Sequence, residues 1–369
     1  MEKNIIIGNG VIVQFGGVAY TNGEIIKRAI ANIQRGQHPT HLYPPEILEW
    51  FNKLFDCFSE LKNGRFDQLT ATSYEREALD CLKERYRYKK VSSPNDIGFE
   101  DYFLIHDLFC RKNRITNPEQ FNFRELLRRF FLDSIFNQGE IQNIFLEFPN
   151  GFVNFLKKHQ NIFTTNYDKN IEMAVSKPVV HLHGAFHTLS ETHNPDSFRN
   201  KISDHPLSNS DYDPSYKHLF SDALLSYSGD LKAYSLKQPD QANEGIKKFA
   251  EKAETDPEIK RQINEWANSD NEIVKNMHDA IMLKIQDPKL SFQINSGLGE
   301  LEDLKGEICI LGLSANNDNH LFQILKNNQY VEHIEYYFFD ESEKTIFDRM
   351  FQDYRIIFHN VKSFWASLN

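Results

Sequence analysis

Short apolar runs that end in glycine or in polar residues occur near both ends of the chain and again in its middle. Each run is typical of a strand that is buried on both faces, as in a parallel sheet. Helical patterns separate several of the runs, and strands that alternate with helices predict an α/β fold with a parallel sheet. The predicted strands lie at residues 4–7, 161–165, 179–183, 307–311, 333–339 and 355–358.

Two long stretches have apolar residues at the spacing of helices instead. In the first stretch they recur three and four positions apart from Ile47 to Phe58, which places them on one helical face. The second stretch is more polar, with helical segments between about residues 243 and 285. We therefore predict one domain over residues 1–369, a Rossmann-like parallel sheet with large helical insertions at about 40–150 and 188–300.

The charge of the chain argues against a nucleic-acid partner. The formal net charge is -10, whereas binding to phosphates depends on clustered lysine and arginine. Arg124, Arg128 and Arg129 recur at helical spacing beside acidic neighbours. This pattern predicts a solvated helix face rather than a nucleic-acid site.

Cysteine spacing and hydropathy bear on metal content and compartment. No two cysteines form a CxxC pair, so we predict no structural zinc; they are Cys57, Cys81, Cys110 and Cys309. The sequence contains no apolar run of membrane-spanning length, and the apolar run at its start is too short for the core of a signal peptide. We expect a cytoplasmic protein with reduced thiols and no membrane association.

The first predicted strand continues directly into a glycine-rich turn. Gly8, Asn9 and Gly10 follow three isoleucines, and glycines at such a place let backbone amides approach a pyrophosphate at the start of a helix. The third glycine of the dinucleotide-binding spacing is absent. An ordinary tight turn after a strand is therefore the alternative interpretation.

The second predicted strand ends in four polar side chains that could meet a ligand. Thr164, Thr165, Asn166 and Asp168 lie at its carboxyl end, and open α/β sheets bind ligands at that edge. We predict that the two threonines contact the ligand. Asp168 has an alternative role, because aspartate often caps the helix that follows.

The third predicted strand carries two histidines. Alternation places His181 and His183 on one face, before Gly184, and a histidine beside a glycine turn can serve as a general base. One alternative is a pair of structural histidines. Another is zinc binding by the two histidines, although no nearby cysteine or carboxylate completes a set of ligands.

The fourth predicted strand ends in Gly312 and Ser314, and Asp318 follows where a helix should begin. Such a position suits an anion or a ribose, because the amino end of a helix presents free N–H groups. We predict that all three residues bind the cofactor. The alternative is that Asp318 only caps the helix.

Taken in order, the four motifs resemble those of the sirtuin-like proteins of prokaryotic anti-phage defence, which are related to the phage-exclusion abortive infection family. The resemblance implies that Gly8, Asn9 and Gly10 bind a dinucleotide, NAD. It also implies that Gly312 and Ser314 contact the adenosine side of that dinucleotide.

The resemblance also assigns the catalytic residues. In that family a Thr-x-Asn-x-Asp stretch shapes the nicotinamide and ribose pocket, and Thr164, Asn166 and Asp168 match it here. A His-Gly pair supplies the catalytic histidine, which corresponds to His183 and Gly184. The resemblance therefore implies that Asn166, Asp168 and His183 perform the chemistry.

One departure from the sirtuin pattern bears on the reaction. Protein deacylases of this superfamily carry a four-cysteine zinc module between the His-Gly and Gly-x-Ser motifs, and the only cysteine near that span is Cys309. We therefore expect a metal-free NAD glycohydrolase that depletes NAD in abortive defence. The alternative is a non-catalytic sensor of NAD or an ADP-ribose derivative that regulates a partner protein. A metal-dependent nuclease would need a carboxylate cluster, which the sequence does not display.

The resemblance further implies an assembly. Relatives commonly work with a second protein, so we expect a homo-oligomer and a defence partner such as a ring ATPase, a short Argonaute or a nucleotide-sensing enzyme. Nothing in the residues selects among these partners or identifies the activating signal. Phe99-Glu100-Asp101 resembles an acidic motif of the same families, although we interpret it as the start of a helix.

Overall fold

The computed structural model describes residues 2–202, 212–224, 227, 231–294, 297–314, 318–352 and 354–368, apart from the side chains at positions 233 and 272. Its centre is one sheet of parallel strands in the order β3-β2-β1-β4-β5-β6, which is the strand order of the Rossmann fold. The predicted fold class is thus confirmed. The strands are β1 (Lys3–Ile7), β2 (Asn161–Thr164), β3 (Val180–His181), β4 (Gly306–Leu311), β5 (Val331–Phe338) and β6 (Ile356–Asn360).

The central strands are buried on both faces, which explains why each reads as a continuous apolar run. Ile5 and Ile7 of β1 pack into one core cluster, and Ile6 packs into a second cluster on the opposite face. β1 pairs with β2 on one side and with β4 on the other. Helices must therefore cover both faces of the sheet.

Helices occupy most of the remaining described chain. Those before β4 are α1 (Asn9–Gly16), α2 (Asn22–Gln34), α3 (Ile47–Lys62), α4 (Ser73–Tyr86), α5 (Asp101–Asn113), α6 (Glu119–Phe136), α7 (Asn150–Lys157), α8 (Asn170–Val175), α9 (Phe198–Lys201), α10 (Leu231–Thr255), α11 (Pro257–Glu265), α12 (Glu272–Gln286) and α13 (Leu298–Glu302). Three more follow it, α14 (Asn319–Asn327), α15 (Glu341–Met350) and α16 (Val361–Ala366). Short 3-10 helices occur at Val18–Tyr20, Asp67–Leu69, Pro94–Asp96, Asn137–Glu147, Glu191–His193, Pro214–Phe220 and Trp266–Asn268.

The first insertion, residues 40–150, is built around aromatic side chains. Phe51 of α3, Tyr102 of α5 and Phe131 of α6 are fully buried, and the rings of Phe51 and Tyr102 lie 4.4 Å apart. These residues belong to the same core cluster as Ile5 and Ile7 of β1. The first insertion therefore shares one hydrophobic core with the sheet.

The second insertion, residues 188–300, has a small core of its own. A separate cluster joins the helices α9 to α12, and it consists of Phe198, Ile246, Ala250, Ala253, Ile263, Ala280 and Ile281. The insertion also touches the first one, since the rings of Tyr234 on α10 and Tyr74 on α4 stack 5.1 Å apart. The described part of the insertion between Leu219 and Leu231 instead contributes to the core cluster that contains β1.

The prediction of a solvated basic face on α6 is wrong. Arg128 and Arg129 are 5% and 9% exposed. Arg128 donates hydrogen bonds to the backbone oxygens of Ser221 and Ala223, and Arg129 donates one to the oxygen of Leu42. A buried arginine that binds backbone carbonyls has the same helical spacing as a solvated one, so spacing alone could not separate the two cases.

The predicted strands are all present, although their ends differ by a few residues. β3 keeps the smallest share of its predicted length, since it contains only Val180 and His181 of the predicted 179–183. Within the described part of the chain, no helix is both long enough and apolar enough to cross a membrane.

Candidate functional site

The carboxyl ends of β1 and β4 lie side by side. The strand order reverses at this point, because β2 and β3 lie on one side of β1 and β4, β5 and β6 lie on the other. Gly8 donates a backbone hydrogen bond to Leu311, and Gly10 donates one to Gly312. A Cβ atom on Gly8 would lie 2.4 Å from the carbonyl oxygen of Gly312, and one on Gly10 would lie 2.7 Å from its Cα atom. The two glycines are therefore required by close packing between the loops, whatever ligand lies above them.

A cavity of about 520 Å³ opens at this edge. Ligands of open α/β sheets bind in such a crevice at the switch point. Of the residues predicted to form the site, those that line the cavity are Asn9, Gly10, Thr165, Asn166, Asp168, His183, Gly312, Ser314 and Asp318. The first insertion adds apolar walls through Phe99, Ile135 and Ile141, and the opposite wall includes Tyr337, Phe339 and Trp365.

One carboxylate oxygen of Asp168 accepts hydrogen bonds from described residues, and the other does not. Its Oδ1 accepts hydrogen bonds from the backbone and side-chain nitrogens of Asn170, the first residue of α8, although the cap position itself belongs to Lys169. Its Oδ2 is buried and has no hydrogen-bond partner among the described residues. Burial raises the pKa of Asp168 to about 6, although the hydrogen bonds from Asn170 oppose the shift. The carboxylate is mostly ionised at neutral pH.

Asn166 is held at the edge of the cavity by its neighbours. Its backbone nitrogen donates to Oγ1 of Thr164 at 3.0 Å, and its side chain donates a long 3.4 Å bond to the oxygen of Gly8. Thr164 is 1% exposed and its hydroxyl donates to Ile7. Thr164 and Gly8 thus support the site from behind the cavity wall instead of lining it.

His181 makes its hydrogen bonds with groups other than His183. Its Nδ1 bonds to the backbone oxygen of Asn166 and its Nε2 to Oε1 of Glu172, both at 2.7 Å. Burial opposes the charged form, but the bond with Glu172 raises the pKa of His181 above its ordinary value. The two histidines of the motif therefore do not converge on one point, which argues against the zinc alternative for that pair.

His183 lines the cavity and contacts a second histidine. The Nε2 atoms of His183 and His320 lie 2.9 Å apart, and an oxygen of Asp318 lies within 4.8 Å of both imidazoles. Burial holds the pKa of both histidines well below the usual value, and the charge of Lys232 adds to the shift. The sequence had offered no carboxylate partner for His183, and the structure supplies Asp318.

Lys232 brings a positive charge to this group from the second insertion. The side chain is 1% exposed, and its Nζ donates a 2.6 Å bond to Oε2 of Glu100, a residue of the cavity wall. Burial raises the pKa of Asp318 to about 6, against the attraction of Lys232. Asp318 occupies the cap position of α14 without a side-chain cap hydrogen bond.

Gly184 lies on the other side of the His183 turn. Its φ is +79°, and a Cβ atom there would lie 2.1 Å from the backbone oxygen of Asp222, so only glycine fits without rearrangement. Gly184 lines a second cavity of about 500 Å³ together with Arg124, Arg128 and Arg199. It is not part of the lining of the first cavity, and its packing against Asp222 accounts for the glycine.

Glu100, Lys232 and His320 were missed as site residues. Glu100 does precede the first residue of α5, as interpreted from sequence, yet it also reaches the cavity. His320 stands two residues after Asp318 and could have been found from that spacing. Lys232 lies in a polar helical stretch that carries no distinguishing signal.

No family model, no curated protein and no solved structure matches the chain.

Proposed function

We propose that the protein is an NAD glycohydrolase, which cleaves NAD to nicotinamide and ADP-ribose, and that it depletes NAD in anti-phage defence. The proposal rests on the resemblance of four motifs and on the cavity that collects most of their side chains. Within it, the cavity holds NAD across the carboxyl ends of the strands, with the pyrophosphate beside Gly10 at the positive end of the α1 dipole.

The single observation that carries the proposal is the free oxygen of Asp168. A buried carboxylate oxygen without a donor costs free energy on the order of 1–3 kcal/mol or more. Because Asp168 lines the cavity, we infer that a bound ligand supplies the missing donor to its Oδ2. The carboxamide N–H of nicotinamide is such a donor. Because Asn170 donates hydrogen bonds to Oδ1, the orientation of the carboxylate, and with it the position of Oδ2, is fixed.

The proposed reaction needs no covalent bond between the protein and NAD. The bond between C1′ of the ribose and the nicotinamide nitrogen breaks, and nicotinamide leaves with the electron pair. Asn166 positions a water whose oxygen forms the new bond to C1′, and His183 accepts the proton that this water loses. Positioning and electrostatic stabilisation of the oxocarbenium-like ribose supply most of the rate enhancement. A neutral histidine suits this role, since only the neutral form accepts a proton.

The assignment is tested with NAD alone. Purified protein is incubated with NAD under activating conditions, and nicotinamide and ADP-ribose are followed by chromatography. The proposal expects both products without any peptide. Release of nicotinamide only after addition of an acylated lysine would identify a deacylase, and binding without cleavage would favour the sensor.

Two substitutions locate the reaction in the cavity. His183→Ala and Asn166→Ala should each lower turnover by roughly 10²–10⁴-fold, the usual contribution of a positioned acid or base, with folding intact. His187→Ala is the matched control, because His187 is exposed and lies four residues beyond His183. Near-normal turnover in either cavity variant would refute the assignment.

We propose further that the chain acts as a homo-oligomer with a second defence protein, which controls activity so that the host keeps its NAD. A monomer with high constitutive turnover would contradict this part of the proposal. Size-exclusion chromatography with parallel activity measurement on each fraction distinguishes the two outcomes.

A further inference from the structure

A buried contact between two imidazoles stands directly behind the candidate catalytic histidine. His183 and His320 are 3% and 2% exposed, and their Nε2 atoms are 2.9 Å apart. They come from positions 137 residues apart in the chain, one at the turn after β3 and the other in the first turn of α14. His183 lines the cavity, whereas His320 lies behind it.

At this distance the two rings form an N–H···N hydrogen bond, in which one nitrogen carries the hydrogen and the other offers its lone pair. Two nitrogens on one tetrahedral zinc at its usual bond length would stand about 3.3 Å apart. A buried ammonium, that of Lys232, also acts on both rings and opposes positive charge there. The contact therefore fits a neutral pair better than two ligands of one tetrahedral zinc.

Charged side chains of both signs lie near the pair among the described residues. Lys232 contributes a positive charge and is paired with Glu100. Asp318 contributes a negative charge within 4.8 Å of both histidines. Nδ1 of His320 is buried and has no hydrogen-bond partner among the described residues, so the contact with His183 is the one side-chain hydrogen bond that the described part of the chain gives to this ring.

We propose that His320 is a positioning residue for NAD cleavage, which accepts a hydrogen bond from Nε2–H of His183 and so leaves Nδ1 of His183 with its lone pair toward the cavity. This inference rests on the proposed function. When Nδ1 takes the proton from the attacking water, the Nε2–H bond becomes charge-assisted and stronger. The proton on Nδ1 then leaves to solvent, and no group is oxidised or reduced.

The test compares two replacements of His320. In His320→Phe the acceptor is lost, and we expect kcat at neutral pH to fall about 10- to 100-fold with little change in KM, the usual loss when a partner that orients a histidine is removed. In His320→Gln an amide oxygen can accept the same bond, so activity should stay within roughly fivefold of wild type. The acid limb of the kcat profile should shift in the Phe variant, because the contact with His320 acts on the pKa of His183.

A merely structural role would give a different result. A packing defect would lower activity by the same factor at every pH and would affect both variants according to their melting temperatures. His106→Gln is the matched control, since His106 is equally buried but lies in the first insertion between Trp50 and Gln120. It should leave the shape of the pH profile unchanged.

A second measurement separates this inference from the proposed function. The ¹⁵N spectrum of histidine-labelled protein shows which ring nitrogen of His183 carries hydrogen, without any turnover. A hydrogen on Nε2 of His183, with a signal that changes in His320→Phe, supports the inference. A hydrogen on Nδ1 of His183 overturns it. Variants of His320 that keep wild-type activity and pH profiles, or one tightly held zinc per chain, also overturn it. Absence of NAD cleavage in the wild type would instead refute the proposed function.

Discussion

The two helical insertions differ in where they bury their apolar side chains. The first insertion buries Phe51, Tyr102 and Phe131 in the core cluster that also contains β1 of the sheet. The second insertion divides its buried apolar residues between a small cluster within α9 to α12 and the two clusters that it shares with the sheet, and it reaches the candidate site through Lys232. The first insertion is thus part of the wall of the cavity, whereas α9 to α12 of the second insertion have a core of their own.

This difference predicts different cooperativity. A segment that shares a core with the sheet should unfold together with it, whereas a segment with its own core and few contacts can open separately. Regulation of the proposed reaction would then act most readily through the second insertion, because its movement withdraws Lys232 and leaves the sheet intact.

The largest expected effect comes from a matched pair of core truncations. Phe131→Ala should lower the free energy of unfolding of the whole chain by about 3–5 kcal/mol, measured by chemical denaturation. Ile281→Ala in the second insertion removes an equally buried side chain. It should instead speed hydrogen exchange in α10 to α12 while β1 and β4 stay protected. Equal loss of protection across the sheet in both variants would show that the two insertions do not differ.

The contact between the insertions at Lys232 should have the next largest effect. Lys232→Met leaves Glu100 without its partner, and we expect a loss of roughly 2–3 kcal/mol, below the value for fully buried pairs because Glu100 is partly exposed. The pKa of His183 and of His320 should rise, since the ammonium no longer opposes their protonation. Lys237→Met on the same helix is the control, because its pair with Glu302 is exposed and should matter by less than about 1 kcal/mol. If the Lys232→Met variant were as stable as the Lys237→Met variant, the pair of Lys232 with Glu100 would not contribute to the attachment of the second insertion.

Asp168 gives a pH-dependent prediction for the cavity wall. Its folded pKa of about 6 lies above the ordinary value of 3.8, so the folded protein binds more protons between pH 4 and 6, and the stability due to this group is lost as the pH rises through 6. Asp168→Asn should therefore stabilise the ligand-free protein by about 1–2 kcal/mol above pH 6, with an advantage that fades toward pH 4, and should weaken NAD binding. Thermal denaturation across this pH range measures the difference.

The control for Asp168 has the opposite sign. Asp340 caps α15, and its hydrogen bonds with Ser342 and Glu343 lower its pKa. Asp340→Asn should therefore cost stability at neutral pH and lose its effect as the pH falls. A destabilised Asp168→Asn variant at pH 7 would show that the carboxylate has a partner of its own in solution.

The smallest expected effect concerns the surface contact between α4 and α10. Tyr74 and Tyr234 stack, but 46% and 42% of their surfaces are exposed. Tyr234→Ala should cost only about 0.5–1 kcal/mol and should raise the rate of proteolysis within the second insertion. Tyr88→Ala at a 90% exposed position should change neither quantity. A larger effect of Tyr234→Ala would mean that the second insertion is docked more firmly than its core suggests.

The sequence by itself determined the sheet and the edge at which the site lies. A strand buried on both faces must be apolar along its length, so Ile5 to Ile7 and Ile308 to Leu311 are visible as local runs. Parallel strands place their carboxyl ends at one edge, and this topology brings Asn166, Asp168 and His183 to one cavity once the strand order is known.

Only the tertiary structure decided which distant groups meet there. The bond between His183 and His320 and the pair of Lys232 with Glu100 each join segments more than 130 residues apart, and no local pattern encodes such a contact. The same reason applies to Gly184, whose need for glycine comes from the backbone of Asp222. Local patterns reveal periodicity, whereas the meeting of side chains depends on how helices from separate insertions pack.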